Sequence, residues 1–69
     1  MEYRKITHEE FMNLKYGEIV YLKVGDIFID RIVYKTPFFD ENKKDFVLKT
    51  FKPRTNYLER EIYIKVGEN

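Results

Sequence analysis

The chain has 69 residues, of which 43% are hydrophobic, 17% aromatic and 36% charged, with a formal net charge of +1 and no cysteine. A chain of this length supports one small core and has little packing to give up to a deep enclosed active site, so the expectation is one domain that catalyses nothing. The missing residue types close further routes: without Cys there is no disulfide, thiolate nucleophile or Cys-based zinc site, and the sequence also lacks Ser.

No apolar stretch follows Met1 to Lys5, and nowhere do about 18 apolar residues run together. The chain therefore reads as a soluble, cytoplasmic protein with no membrane partner. Abundant Lys, Ile, Tyr, Phe and Asn with no Ala matches the composition of AT-rich genomes, such as a low-GC bacterium or its phages. Charge is uneven: residues 43–57 hold Lys43, Lys44, Lys49, Lys52 and Arg54 against Asp45 alone. Even this block falls short of the basic footprint of a dedicated nucleic-acid domain.

In chain order, Thr7-His8-Glu9-Glu10 has the spacing of a capping box, with Ile6 and Phe11 at the flanking staple positions. It predicts a helix over about 8–15, stopped by Gly17. Residues 18–24 alternate as a strand with Val20, Leu22 and Val24 on one face, and Gly25-Asp26 suits a two-residue hairpin turn led by glycine. In the second strand, about 27–35, Ile27 and Ile29 fall on one parity and Ile32 and Tyr34 on the other. One extra residue at Asp30-Arg31, a β-bulge, would bring all four to one side and bend the strand. Residues 36–45 read as a polar loop carrying Phe38 and Phe39. A third strand covers about 45–52, with Phe46, Leu48 and Thr50 alternating against Val47, Lys49 and Phe51. Pro53 suits a type I turn in Lys52-Pro53-Arg54-Thr55. A last strand runs over about 57–66.

A short helix followed by four or five antiparallel strands, with a bend in the second, resembles a mainly β (α+β) domain of the small SH3-like barrel type. The segment Lys15 to Leu22 is similar to the start of the first strand in such domains. The resemblance is to a fold that serves many functions.

Candidate chemistry is sparse. His8 is the single histidine; with Glu9 and Glu10 it occupies successive helix positions that point apart, so it reads as solvated, with no metal and no cofactor expected. Asp26, Asp40, Glu41, Glu59 and Glu61 are accounted for by turn, loop or strand face. Asp30 and Arg31 read as an ion pair at a barrel rim. The aromatics carry more information. Phe38 and Phe39 are adjacent in an extended segment, so one faces in and the other out, as an anchor for a protein partner. Tyr21, Tyr57 and Tyr63 sit on the strand parity away from the core and extend that surface. The first functional expectation is a small protein-binding module or inhibitor, encoded by a phage or mobile element and acting on a larger bacterial protein. The second is a single-stranded nucleic-acid binder using Lys49, Phe51, Lys52, Arg54 and Tyr57, where rings would stack on bases and cations track phosphates. A third is a small-ligand pocket shared between copies of the chain. The sequence is compatible with monomer or homodimer.

Overall fold

The computed structural model describes residues 2–67. Among them, seven strands, one short α-helix and one 3₁₀ turn follow in the order β1 (Glu2–Lys5), α1 (His8–Met12), β2 (Ile19–Val24), β3 (Ile27–Ile32), β4 (Phe38–Asp40), β5 (Asp45–Lys49), β6 (Asn56–Leu58), the 3₁₀ turn (Glu59–Glu61) and β7 (Ile62–Val66). The strands form two antiparallel sheets, ordered β1-β7-β2-β3 and β4-β5-β6. The sheets meet at one corner, where Val33 bridges to Thr50. There the Tyr34 N–H donates to the Lys49 carbonyl (2.8 Å) and the Phe51 N–H to the Ile32 carbonyl (2.9 Å). No ladder among the described residues joins β4 or β6 to the larger sheet, so the strands form two sheets hinged at a corner and not a closed hydrogen-bonded cylinder.

Strand β1 had no counterpart in the sequence reading. It pairs with β7 from Glu2↔Val66 to Lys5↔Tyr63, and its alternation sends Arg4 towards the helix while Tyr3 and Lys5 project from the other side. The capping box forms as its spacing dictates: the Glu10 N–H donates to the Thr7 hydroxyl (3.2 Å) and the Thr7 N–H to the Glu10 carboxylate (3.0 Å). Arg4 grips that same carboxylate with two guanidinium nitrogens, at 2.9 and 2.6 Å. Ile6 and Phe11 are both buried, and with Leu14 they pack on Val20, Leu22, Val33, Leu48 and Ile62.

The helix stops at Met12, three residues short of its expected end, because Asn13 already turns back. Its N–H donates to the Glu10 carbonyl (3.2 Å), the Leu14 N–H to the Phe11 carbonyl (3.1 Å), and the Asn13 side-chain amide to the Glu9 carbonyl (2.9 Å). Gly17 is therefore not the helix stop. At φ +92° it lets the chain turn into β2, with its N–H donating to the Val33 carbonyl (2.9 Å).

The β-bulge expected at Asp30-Arg31 is absent. Pairing between β2 and β3 runs unbroken from Ile19↔Ile32 to Val24↔Ile27. Simple alternation puts Ile27, Ile29, Arg31 and Val33 on the core side and Phe28, Asp30, Ile32 and Tyr34 on the other. The reason is reach: the hairpin projects past the core, so Val24 and Ile27 near its tip stay 53% and 61% exposed. With nothing buried there, no force gathers the four apolar side chains onto one face. The turn itself follows expectation, since Gly25 has φ +62° while Asp26 keeps a negative φ, as a type II′ turn requires.

Three other boundaries shift. Residues 36–45 contain β4, which pairs with β5 from Phe38↔Val47 to Asp40↔Asp45. The Lys52–Pro53 bond is cis, so no type I turn forms; the Thr50 N–H closes this loop on the Thr55 carbonyl (3.0 Å). The expected strand 57–66 is broken at Glu59–Glu61, where the Glu61 carboxylate accepts from the Leu58 N–H (2.7 Å) and holds the 3₁₀ turn between β6 and β7.

The Arg4–Glu10–Thr7 contacts give stability a defined acid limit. The Arg4 hydrogen bond, then the Thr7 backbone, lower the Glu10 pKa from its ordinary 4.5 to about 2. Because Glu10 ionises more readily when folded, its contribution is complete above pH 4.5 and is lost as pH falls through about 2. In Glu10→Gln, acid-scan melting should lose the part of the decline that falls in that window. Thr7→Ala should cost about 1 kcal/mol and lower the melting temperature by roughly 4–8 °C.

Candidate functional site

On the face of the larger sheet turned away from the core, alternation places Tyr3 of β1, Tyr63 of β7, Tyr21 of β2 and Phe28 of β3. Tyr3 stacks on Phe28 with ring centroids 3.9 Å apart and planes 10° from parallel. Tyr3 also meets Tyr21 edge-on at 4.9 Å, and Phe28 meets Tyr63 at 5.3 Å. Lys65 lies 5.6 Å over the Tyr21 ring and Lys5 6.0 Å over Tyr63. All four rings are half-buried. Since β1 and β3 are separated by two strands, the Tyr3–Phe28 stack spans the sheet and ties its two edges together. Each such aromatic pair is worth about 0.5–1.5 kcal/mol beyond its buried area. This cluster covers its own ring faces.

A second surface lies at the corner between the sheets. Ile19 and Ile32 are direct cross-strand partners, 53% and 44% exposed. The Ile32 carbonyl holds the Phe51 N–H, and Phe51 meets Tyr16 edge-on at 5.4 Å and Tyr34 at 4.9 Å. Arg54 caps the Tyr34 ring at 4.1 Å. Tyr16 is 70% exposed, more than any other large apolar side chain described. The loop after β5 makes this convergence possible: the buried Thr50 hydroxyl donates to the Pro53 carbonyl (3.0 Å), which folds Phe51 and Arg54 back beside Tyr34. The result is a contiguous apolar patch of Tyr16, Ile19, Ile32, Tyr34 and Phe51 with one guanidinium on its rim.

The aromatics singled out from sequence lie in several places. Tyr21 and Tyr63 belong to the self-packed cluster. Tyr57 makes no ring contact with them; it packs against the core and shares with Tyr63 the lining of a groove of about 400 Å³, together with Leu22, Lys23, Val24, Arg60 and Glu61. Phe38 and Phe39 sit on β4, an edge strand. Phe39 is 45% exposed and edge-on to Phe46 at 5.2 Å, whereas Phe38 is half-buried with the Lys35 ammonium 4.7 Å over its ring. Of the basic-aromatic segment, Phe51 and Arg54 join the corner patch. Lys52 is exposed at φ +35°, Lys49 pairs with Asn56, and Tyr57 lies elsewhere.

One side-chain reading is extended and one corrected. His8 is exposed, as read, but it has partners: its Nδ1 lies 2.9 Å from the Glu59 carboxylate, and its ring meets Phe46 edge-on at 5.2 Å. Asp30 and Arg31 form no ion pair with each other. The Arg31 guanidinium instead donates to the Asp30 backbone carbonyl (2.8 Å) and lies 3.5 Å from the Tyr57 hydroxyl. Among the described residues, no three His, Asp or Glu side chains gather as a metal site would require, and no helix is long and apolar enough to cross a membrane.

Sequence reasoning missed Tyr3, Phe28, Tyr16, Tyr34, Ile19 and Ile32. Unbroken alternation through β3 would have put Phe28, Ile32 and Tyr34 on the outer face with Tyr21; the bulge concealed it. No protein family matches the chain, and no curated protein or solved structure is detectably similar to it.

Alternation at β4 makes a measurable distinction between its two rings. Phe38→Ala should lower stability by roughly 2 kcal/mol, about half the loss for a fully buried Phe, while Phe39→Ala should stay within about 1 kcal/mol of the parent in denaturant unfolding.

Proposed function

We propose that the protein is a non-catalytic protein-binding module on an SH3-like frame, with the corner patch as its contact surface. The frame rests on strand order: β2, β3, β5 and β6 succeed one another, the 3₁₀ turn follows, and β7 returns to pair with β2. Strands β1 and β4 and the capped helix are additions to that plan.

The observation that carries the function is the side-by-side exposure of Tyr16, Ile19 and Ile32 against Phe51 and an Arg54-capped Tyr34. Tyr and Arg dominate the residues whose truncation most weakens protein interfaces, and aliphatic neighbours complete the dry centre such residues need. The two isoleucines favour a protein over a nucleic acid, because a base gains little from an aliphatic surface. The guanidinium over Tyr34 also already occupies a ring face that a base would stack on. A larger bacterial protein remains the partner we favour, with this chain acting by occupying its surface.

Affinity capture from cells that carry the protein, followed by calorimetry with the purified partner, tests the reading. Tyr16→Ala combined with Ile19→Thr should weaken binding at least thirtyfold, corresponding to about 2 kcal/mol, with the melting temperature little changed. A partner bound equally well by the double variant would overturn it.

The cations Lys49, Lys52 and Arg54 beside Phe51 support single-stranded nucleic acid as the second reading. Three phosphate contacts would give a log-log salt slope of about 2 on single strands. The favoured reading expects no association with oligothymidylate even at low salt.

A further inference from the structure

We infer that β3 is a strand-addition edge on which a second copy of the chain lays its own β3, antiparallel, with Ile29 opposite the partner's Ile29. The inference starts from backbone direction. At the end of β3 the Ile32 carbonyl and the Tyr34 N–H point to β5, whereas the Val33 N–H and carbonyl point back to Glu18 and Gly17 on the β2 side. Alternation therefore turns the N–H and carbonyl groups of Phe28 and Asp30 off the open side of the sheet. The larger sheet ends at β3, and β5 meets it only from Ile32 onward. Among the described residues, the only partner these four groups have is the Arg31 guanidinium on the Asp30 carbonyl.

Exposed edges are normally blunted by charge, proline, a bulge or short length. The other free edges follow that rule: β1 is Glu-Tyr-Arg-Lys and β4 has three residues. In contrast, β3 reads Ile-Phe-Ile-Asp-Arg-Ile over six residues, with one adjacent pair of opposite charges, no Lys, no Pro and an uninterrupted register.

A second copy fits this edge in length, bonding and charge. Antiparallel pairing centred on Ile29 sets Phe28 opposite the partner's Asp30 and Asp30 opposite its Phe28. All four outward groups on each copy then bond to one another. The open stretch, 27–31, receives the partner's 31–27, and the partner's Gly25-Asp26 turn begins where the Phe51 loop closes the edge. Arg31 falls opposite Ile27, whose exposed side chain gains the arginine stem as cover. Asp30 of the partner falls in the same cross-strand row as Phe28 and Lys23. Two strand spacings, about 10 Å, separate it from Lys23, within reach of the lysine side chain. No like charges stand directly opposite; the two Asp30 carboxylates approach only on the diagonal. About five residues a side is far below the roughly 20–30 of a stable interface, so the dimer is transient and dissociates on dilution.

Dilution of isotopically labelled protein from about 1 mM to about 10 µM, followed by NMR and sedimentation, covers the concentrations at which weak association appears and is lost. Amide shifts at 27–32 should move with concentration as the apparent mass falls to that of one chain. Asp30→Pro removes an outward N–H without touching the β2 ladder and should abolish the association while the protein still folds. The cysteine-free chain permits a second test that does not depend on that variant: Ile29→Cys should oxidise to a disulfide dimer at least tenfold faster than Ile27→Cys, because only position 29 meets its own copy. A monomer at every concentration, association unchanged by Asp30→Pro, or equal cross-linking at 27 and 29 would each overturn the inference.

Discussion

The bridge between Val33 and Thr50 is the contact on which the rest of the structure depends. Both side chains are fully buried, and the two hydrogen bonds that flank them are the seam between the two sheets. A threonine at that position has two tasks. Its backbone closes the bridge and the following loop, while its hydroxyl, excluded from water, satisfies itself on the Pro53 and Thr55 carbonyls. A buried hydroxyl must find an acceptor. Here the acceptors belong to the loop that carries Phe51 and Arg54, so the need to satisfy one core oxygen fixes the shape of an exposed surface.

The same seam explains why two aromatic clusters on one small domain differ. The residues of the outer sheet face come from four adjacent strands in register, so their rings lean together and cover one another. At the corner the chain enters from three directions: Tyr16 before β2, Tyr34 after β3, and Phe51 from the loop. Three rings approaching edge-on around a corner leave faces and rims open, and the isoleucines beside them have no layer above. One cluster is therefore an internal tie that happens to face solvent, and the other is a surface available for contact. Four acidic side chains are committed away from the corner: Glu10 to Arg4, Glu59 to His8, Glu61 to the 3₁₀ turn and Asp45 towards Arg60.

What could be read from the sequence was whatever local spacing determines. The Thr7–Glu10 box, the Ile6 and Phe11 flanks, the buried Val20 and Leu22 and the glycine-led turn at 25–26 all involve partners within a few residues, and each is found. What was not legible depends on where the core ends. The bulge was postulated to keep Ile27, Ile29, Ile32 and Tyr34 together, yet a hairpin that outruns its core has no such requirement. Tyr57 shares the parity of Tyr63 only if residues 57–66 form one strand, and the 3₁₀ turn at 59–61 resets the alternation between them. Strand β1 was invisible because its support is remote: the ladder with β7, from Glu2↔Val66 to Lys5↔Tyr63, and the Tyr3 stack on Phe28. The candidate surface was half legible, since Phe51 and Arg54 stood out by composition, whereas their neighbours Tyr16, Ile19, Ile32 and Tyr34 come from segments joined only at the corner.

Hinging two sheets at a corner, instead of closing them, has a cost that falls on the edges. A closed barrel has none, but this arrangement leaves β1, β3, β4 and β6 each with an open side in its own sheet. The chain protects β1 with charge and keeps β4 and β6 to three residues, while the core, drawn to Phe11 and the corner, does not extend to the hairpin tip. The apolar side chains of that hairpin therefore cannot be explained by burial within one chain. Ile27 and Val24 gain nothing from the core, and neither Ile32 nor Ile19 is covered. In a domain with so little core to spend, four exposed aliphatic side chains on one hairpin are a conspicuous use of apolar surface. Contact with another molecule, which we propose at the corner through side chains and along β3 through the backbone, would give these side chains the cover that the core does not.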